Sequence, residues 1–340
     1  MRWQVLLPIN FVLALAASRP QNCPGEDTVT VLTGKDAKVR TNRIGEIIEY
    51  TGESLQLKSA SGRVENIPAA RVVDIRTQWT PAQERGDSLR AEGKLEEAIT
   101  AYKQAKREEP RVWARRKIMA ELVGCYSELG RFDVAGDEWL AIVESDPLTR
   151  HYEVVPVAWI PTPPDGALQP RAAAWLQSKA PQAQVLGASW LLAGPERGGA
   201  VAALEGIAGS KTVDRRIRSL AQIQLWRTKV VLAKLDEVQR WQAALEQMPA
   251  EVRASGYFVV GEALARLEKP EDAALAYLHV PLVHSQQRVM AADALLAAAK
   301  QHEDLGRTEQ AVGLYREVLS GYSRTAAAEE AKTRLEPKSK

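Results

Sequence analysis

The chain has 340 residues, with 45 Lys and Arg against 43 Asp and Glu, a hydrophobic fraction of 45% and two cysteines. This length corresponds to about two ordinary domains or one elongated array of small units, and the hydrophobic and charged fractions exclude a wholly disordered chain. A formal net charge of +2 excludes a general attraction to nucleic acids or anionic membranes. Two cysteines can neither build a disulfide scaffold nor fill a four-ligand zinc site.

Residues 1–18 have the pattern of a secretory signal peptide. Arg2 supplies one positive charge, an apolar run extends from Val5 to Ala17, and small residues precede Arg19. The run is shorter than the roughly 20 residues with which a helix crosses a bilayer. We therefore expect an exported chain, periplasmic or secreted, that is soluble after cleavage and has no membrane span. An uncleaved anchor and a buried N-terminal helix are the alternatives.

Residues 28–77 consist of short alternating apolar and polar runs, separated by turns that contain glycine. Such alternation predicts about five strands. The spacing of glycines and aliphatic residues from Gly45 to Ile75 resembles that of SH3-like and Sm-like barrels, and the resemblance implies a small five-stranded β-barrel. Tyr50 is the only aromatic residue of this segment. With no set of rings on which bases could stack, we expect no nucleic-acid binding and favour a docking or spacer role.

From Pro81 onward the apolar period becomes helical and the chain repeats. Residues 81–110 carry small residues at Gly86 and Ala98, a ring at Tyr102 and a closing Pro110. A second copy extends to residue 147, with Ala135 and Trp139 at the corresponding small and aromatic positions. This pattern resembles the tetratricopeptide repeat. The resemblance implies two helical hairpins over 81–147, in which small residues let the paired helices approach closely.

Three further copies of the repeat are predicted within residues 218–335. Their rings at Trp241, Tyr277 and Tyr315 are spaced 36 and 38 residues apart. An ordinary helical bundle with alanine-rich seams is the alternative interpretation. The fold class predicted for the whole chain is mainly α, a tetratricopeptide-like α-solenoid preceded by the small β-barrel. The residues expected to pack the repeats are Gly86, Ala98, Tyr102, Ala135, Trp139, Trp241, Gly261, Ala273, Tyr277, Ala311 and Tyr315.

The segment 148–217 interrupts the repeats. Five prolines fall between Pro156 and Pro170, a density that excludes a helix and predicts an ordered, extended connector. Three short helices are then predicted over 171–179, 182–193 and 199–208, and a longer one over 213–229. Part of this segment resembles a divergent repeat hairpin that would carry the solenoid across the gap.

The search for reactive chemistry yields no catalytic, cofactor-binding or metal-binding residues. The stretch from Gly206 to Thr212 lacks the glycines of a phosphate-binding loop, and no strand precedes it. His279 and His284 are five positions apart, which does not place both on one helical face, and no third ligand lies nearby. Cys125 is expected to pack inside a repeat. The sequence leaves open whether Cys125 pairs with Cys23.

A basic ridge stands out where the first two repeats join. Arg111, Arg115, Arg116 and Lys117 lie within seven residues, with Trp113 among them. One interpretation is a solvated face with intrahelical ion pairs, which are common and individually weak. The other is a site for an anionic partner, such as an acidic peptide, lipid head groups or an envelope polymer. We assign these four basic residues as candidate partner-binding residues.

Some tetratricopeptide repeats bind the carboxylate of a peptide C-terminus through Lys, Asn and Arg on the first helix of each hairpin. That mode of binding is not supported by this sequence, because the residues at the corresponding positions differ in type. They are Gln83, Asp87, Arg90, Ala120, Gly124 and Ser127.

Together these patterns favour an exported, non-catalytic scaffold or adaptor that binds protein or peptide partners along a solenoid surface. The resemblance to repeats of bacterial envelope proteins implies a role in cell-envelope organisation. Two alternatives remain. One is an envelope hydrolase or polymer-modifying enzyme with its site in residues 148–217, and the other is a structural wall protein that self-associates.

Overall fold

The computed structural model describes residues 26–34, 39–164 and 166–336. The predicted signal peptide (1–18) and Cys23 lie outside the described residues, as does Asp165 of the proline-rich segment. Within the described ranges the chain forms an antiparallel β-sheet followed by an array of α-helices. No helix among these residues is long and apolar enough to cross a membrane.

The sheet has five strands in the order β4-β3-β2-β1-β5, and all neighbours are antiparallel. The long β2 pairs with β1 through its first half and with β3 through its second half, so it bends across both. Among the described residues β4 and β5 do not pair, and the closed SH3-like or Sm-like barrel stays a prediction. The strands are β1 (Asp27–Thr33), β2 (Val39–Tyr50), β3 (Ser54–Lys58), β4 (Val64–Pro68) and β5 (Val72–Arg76).

Most helices that follow one another in the chain pack against each other, and this confirms the predicted mainly α architecture with a tetratricopeptide-like solenoid. The helices in the described ranges are α1 (Pro81–Ala91), α2 (Leu95–Glu108), α3 (Val112–Glu128), α4 (Phe132–Ser145), α5 (Leu168–Leu176), α6 (Pro181–Leu191), α7 (Arg197–Gly209), α8 (Arg215–Arg227), α9 (Leu235–Gln247), α10 (Arg253–Arg266), α11 (Pro270–Val283), α12 (Arg288–Asp304), α13 (Thr308–Gly321) and α14 (Ala326–Leu335).

All eleven residues assigned to repeat packing lie buried. In the first hairpin Gly86 of α1 lies against the ring of Tyr102 of α2, and a Cβ atom at Gly86 would be 2.6 Å from two ring carbons. The same arrangement recurs in α10 and α11, where a Cβ at Gly261 would lie 2.7 Å from the ring of Tyr277. A glycine is therefore required where the large ring of one helix meets the backbone of its partner.

Described residues of the connector between α4 and α5 are packed against helices of the solenoid. After a 3₁₀ turn (Arg150–Val154) the chain has no regular secondary structure up to Pro164. The backbone N–H of Ala158 donates to Ser189 Oγ of α6 at 3.1 Å, and Gln224 Nε2 of α8 donates to the Ala158 carbonyl at 2.9 Å. Trp159 Nε1 donates to Asp293 of α12 at 3.0 Å. The connector thus joins three helices that are distant in sequence.

The solenoid bends until its first and last hairpins meet. Glu128 of α3 accepts hydrogen bonds from Arg90 of α1 at 3.0 Å and from Arg288 of α12 at 3.3 Å, although Arg288 is 160 residues further along the chain. Together with the buried connector, this contact narrows the inner surface of the solenoid. The inner side is filled in its middle and stays open as a cleft beside α1 and α3.

The sheet is docked against the first residues of α3. Trp113 belongs to the hydrophobic core of the sheet, and its Nε1 donates to the Ile47 carbonyl at 3.3 Å. At the other end of the contact, the Gly52 backbone N–H donates to Asp146 at the end of α4, at 2.9 Å. A core residue supplied by a helix shows that the sheet and the solenoid are packed as one unit.

Candidate functional site

A cleft of about 680 Å³, which we call the central cleft, opens among the described residues. Its walls are the inner faces of α1 and α3 on one side and the residues before α12 on the other, and the 3₁₀ turn forms its floor. The lining residues are Asp87, Arg90, Ala91, Tyr102, Lys117, Ala120, Glu121, Gly124, His151, Glu153, Val154, Ser285, Gln286, Arg288 and Tyr322.

Helical spacing explains why α3 presents a continuous strip to the cleft. Lys117, Ala120, Glu121 and Gly124 are three or four residues apart, so they lie on one face of the helix. Ala120 and Gly124 are small, which leaves room between the helices and lets neighbouring polar groups reach the solvent. These two positions were among those compared with carboxylate-binding repeats, and the structure places them in the cleft wall.

Ion pairs hold the polar side chains of the cleft in place. Arg90 binds both Glu121 and Glu128, and Lys117 Nζ lies 3.4 Å from the other carboxylate oxygen of Glu121. Arg288 binds Glu128 from the opposite wall. Because these pairs are shielded from solvent on at least one side, they fix donors and acceptors at defined positions, as a recognition surface requires.

Burial changes the titration of two groups on the cleft floor. Burial is the main cause that lowers the pKa of His151 to about 3, and the nearby cations Arg150 and Lys117 lower it further. His151 is therefore neutral at physiological pH and is not poised as a general base. Burial also raises the pKa of Glu153. Among the described residues, Glu153 makes no hydrogen bond or ion pair through its side chain.

Asp87 forms a second acceptor on the α1 side of the cleft. Its carboxylate accepts a hydrogen bond from the Tyr102 hydroxyl at 2.7 Å and another from the Gln83 side-chain amide at 3.1 Å. Burial, followed by this hydrogen bond to Asp87, raises the pKa of Tyr102 well above its ordinary value. The phenol stays protonated and acts as a fixed donor, so its ring is held both by packing and by its hydroxyl group.

The structure divides the basic ridge into residues with different surroundings. Arg116 is only 4% exposed and binds Glu49 and the Tyr50 carbonyl of the sheet. Arg111 binds Glu109 at 2.7 Å and Thr77 at 2.6 Å. Both arginines bind residues of the sheet or of the segment that follows it. Arg116 is buried and its donors are engaged, which disfavours a partner-binding role for it, whereas 27% of the Arg111 side chain is exposed and its role as a partner-binding residue stays a prediction.

Arg115 and Lys117 have different surroundings from the buried Arg116. Arg115 is half-buried and its guanidinium lies 3.5 Å from the Glu109 carbonyl, while 46% of the Lys117 side chain is exposed at the rim of the central cleft. Lys117 is the member of the ridge that lines the central cleft.

Several cleft residues gave no signal in the sequence. Arg288, Tyr322 and Ser285 reach the cleft because the last hairpins bend back to the first, a contact between segments that no local pattern encodes. Glu153 lies at the start of the divergent segment and was not assigned to a site. The available signal in the sequence was that His151 and Glu153 stand beside a run of apolar residues that begins at Val154.

The acids of the 148–217 segment, on which the enzyme alternative depends, are dispersed. Glu153 and His151 line the central cleft, whereas Asp214 caps α8 and pairs with Arg216 at 3.1 Å. Glu205 is exposed on α7. The structure therefore brings one acid of this segment to the cleft, and that acid lies beside a histidine that is held neutral.

A family model described as a tetratricopeptide repeat matches residues 293–325. These residues comprise most of α12, all of α13 and the turn that follows, so the match coincides with a helical hairpin of the structure. Comparison with curated proteins finds no match. Tetratricopeptide repeats typically mediate protein–protein interaction, and the matched hairpin supports an interaction role for this solenoid.

Proposed function

We propose that the chain is an exported, non-catalytic adaptor of the cell envelope, which binds a protein or peptide partner in the central cleft. The observation that carries the proposal is the cleft itself. The first two repeat-like hairpins leave their inner faces open, and there they present donors and acceptors held by ion pairs.

Beyond the central cleft, described residues of the connector pack against the helices, and the cavity beside Ile160 and Pro161 is smaller, at about 360 Å³. Val155, Val157 and Ala158 are buried against the solenoid, and the polar atoms of Ala158 are satisfied by side chains of α6 and α8. A partner that follows the inner side of the repeats therefore has its entry at α1 and α3. We therefore place the proposed interface in the first two hairpins.

The charges of the cleft favour a polar or mixed-charge segment over a purely apolar one. Glu153 offers an acceptor without a partner among the described residues, and Lys117 offers a donor at the rim. An anionic partner would contact Lys117 and Arg115. Export rests on the signal-peptide pattern of residues 1–18, and the small barrel would serve as the spacer that is docked on the first hairpins.

A photo-crosslinking residue at Gln286 tests the location of the interface. Gln286 is exposed and lines the central cleft. Gln104 is an exposed glutamine on α2 that does not line the cleft, and it serves as the matched control. We expect a defined crosslinked partner from the envelope fraction at position 286 and none at 104. Equal labelling at both positions would contradict a specific cleft interface.

Binding measurements with the captured partner then test the chemistry of the cleft. Arg288→Glu places a negative charge beside Glu128, which Arg288 now binds at 3.3 Å. We expect the dissociation constant to rise about tenfold, as is typical when a charge at the rim of an interface is reversed. Arg240→Glu, on the exposed face of α9, should leave the constant unchanged. Crosslinks at 286 only to other copies of the chain would favour the self-associating alternative.

A further inference from the structure

A second cavity, of about 230 Å³, lies between the sheet and the solenoid, and we call it the edge pocket. Four consecutive strand residues line it, from Val72 to Ile75 of β5. Side chains of successive strand residues point to opposite faces of a sheet. One cavity can contact all four only if it lies along the edge of the strand, so the pocket borders the backbone of β5.

That edge of β5 has no partner strand among the described residues. In the sheet order β5 is terminal and pairs only with β1. The pairing shifts register between Thr30 and Val31, so Val73 is an extra residue opposite this step, and its side chain is 39% exposed. A free edge next to a cavity can accept a further strand through backbone hydrogen bonds.

The opposite wall of the edge pocket is aromatic and basic. Trp79, Trp113 and Tyr50 line it together with Lys117 and Arg150. The exposed Arg150 donates to the Tyr50 hydroxyl at 2.6 Å, and it makes no ion pair with any residue that the structure describes. Lys117 shares Glu121 with Arg90, so the carboxylate that neutralises it is itself divided between two cations.

The acids around the edge pocket do not neutralise these two cations at close range. Asp146 accepts the backbone N–H groups of Gly52 at 2.9 Å and Leu148 at 3.2 Å. Asp74 lies 3.5 Å from Arg76 of its own strand. Glu153 is the remaining acid; burial raises its pKa while Arg150 and Lys117 lower it, and among the described residues it forms no ion pair with either cation.

We infer that the edge pocket binds an extended, acidic peptide segment of the partner, which adds to β5 as a sixth strand and places its acidic side chains at Lys117 and Arg150. The backbone edge supplies affinity without sequence preference, and the two cations supply the preference for acidic residues. This inference rests on the proposed adaptor function, and it assigns one part of the partner's chemistry. It also gives the docked sheet a role in recognition.

A labelled peptide tests the charge preference directly. The probe is about eight residues long, a usual strand length, and alternates Val with Glu; its control alternates Val with Lys. We expect fluorescence anisotropy to show binding of the acidic probe alone. Lys117→Glu combined with Arg150→Glu should weaken binding at least about tenfold, and Lys117→Gln with Arg150→Gln should weaken it less. Arg240→Glu on α9 is the matched control variant, with no expected effect.

Amide hydrogen exchange tests the strand addition. Binding of the acidic probe should slow exchange in β5, whereas β4, the other terminal strand of the sheet, should be unchanged. Binding without protection of β5, or binding that survives both charge variants, would overturn the inference. If a partner crosslinks at Gln286 but the acidic probe does not bind, the inference fails and the adaptor function stands. Absence of any crosslink at 286 would instead count against the adaptor function.

Discussion

Substitution of Gly86 by alanine tests how the repeat hairpins are packed. A Cβ at this position would lie 2.6 Å from Cδ1 and Cε1 of Tyr102, well inside ordinary contact distance. The ring cannot move aside freely, because Tyr102 has no exposed surface and its hydroxyl is bound to Asp87 at 2.7 Å. Relief of the clash therefore requires a movement of α1 relative to α2.

The expected magnitude follows from two opposing terms. Overpacking of a filled core costs about 1–3 kcal/mol, and the rigid ring places this site in the upper half of that range. Alanine in a helix interior is more favourable than glycine by about 1 kcal/mol. We therefore expect Gly86→Ala to lower the free energy of unfolding by about 1–2 kcal/mol. Gly261→Ala should have a similar effect, since its Cβ would lie 2.7 Å from the ring of Tyr277.

Gly313→Ala is the matched control for this prediction. Gly313 lies within α13, and a Cβ there would meet no atom within 4 Å. The propensity term then acts alone and should stabilise the protein by up to about 1 kcal/mol. Urea unfolding measures the change in the free energy of unfolding. Amide exchange in α2 measures the local change in stability, also when the array unfolds in parts. The packing argument is refuted if Gly86→Ala is as stable as Gly313→Ala.

Three further predictions concern buried polar groups. Arg116→Met removes the partner of Glu49 and should destabilise docking of the sheet by about 2 kcal/mol, measured as faster amide exchange in β2, because a half-buried carboxylate loses its cation. Burial raises the pKa of Asp293 from 3.8 to about 6. The folded state therefore loses stability as the pH rises from about 4 to about 6. Asp293→Asn should be more stable than the natural protein at pH 7.5 but not at pH 4. Cys125, whose pKa burial raises to about 12, should resist alkylation at pH 8 until the protein unfolds; labelling of the native protein at this position would contradict that expectation.

Local patterns were sufficient for the hairpins. The helical period, the small residues at Gly86 and Ala98, and the ring at Tyr102 correspond to buried packing positions because each repeat is built from contacts near in sequence. The beginning of α5 was placed too late. The helix begins at Leu168 and includes Pro170, which the first turn of a helix tolerates because its N–H groups have no intrahelical partner.

The basic ridge shows why the site was harder to predict than the fold. A run of cations at helical spacing looks the same in sequence whether solvent or a sheet covers it. Arg116 is buried because the end of β2, 66 residues earlier, supplies Glu49 and the Tyr50 carbonyl as its partners. The central cleft likewise depends on a contact between Glu128 and Arg288. Both features are set by long-range docking of units whose own folds are locally encoded.

The connector shows how side chains of the repeats satisfy the backbone of a segment that crosses them. Arg227 and Gln224 of α8 donate to the Ala158 carbonyl at 2.8 and 2.9 Å, and Ser189 accepts a hydrogen bond from the Ala158 N–H. Side chains of the repeats thus satisfy the backbone of a segment that is not part of any sheet. Burial lowers the pKa of Arg227 to about 10, which still leaves it charged and able to donate. The inner side of the repeats therefore already binds one segment through its backbone. The central cleft continues that inner side with the same kinds of donor and acceptor, and an extended segment of a partner is the ligand that such a surface suits.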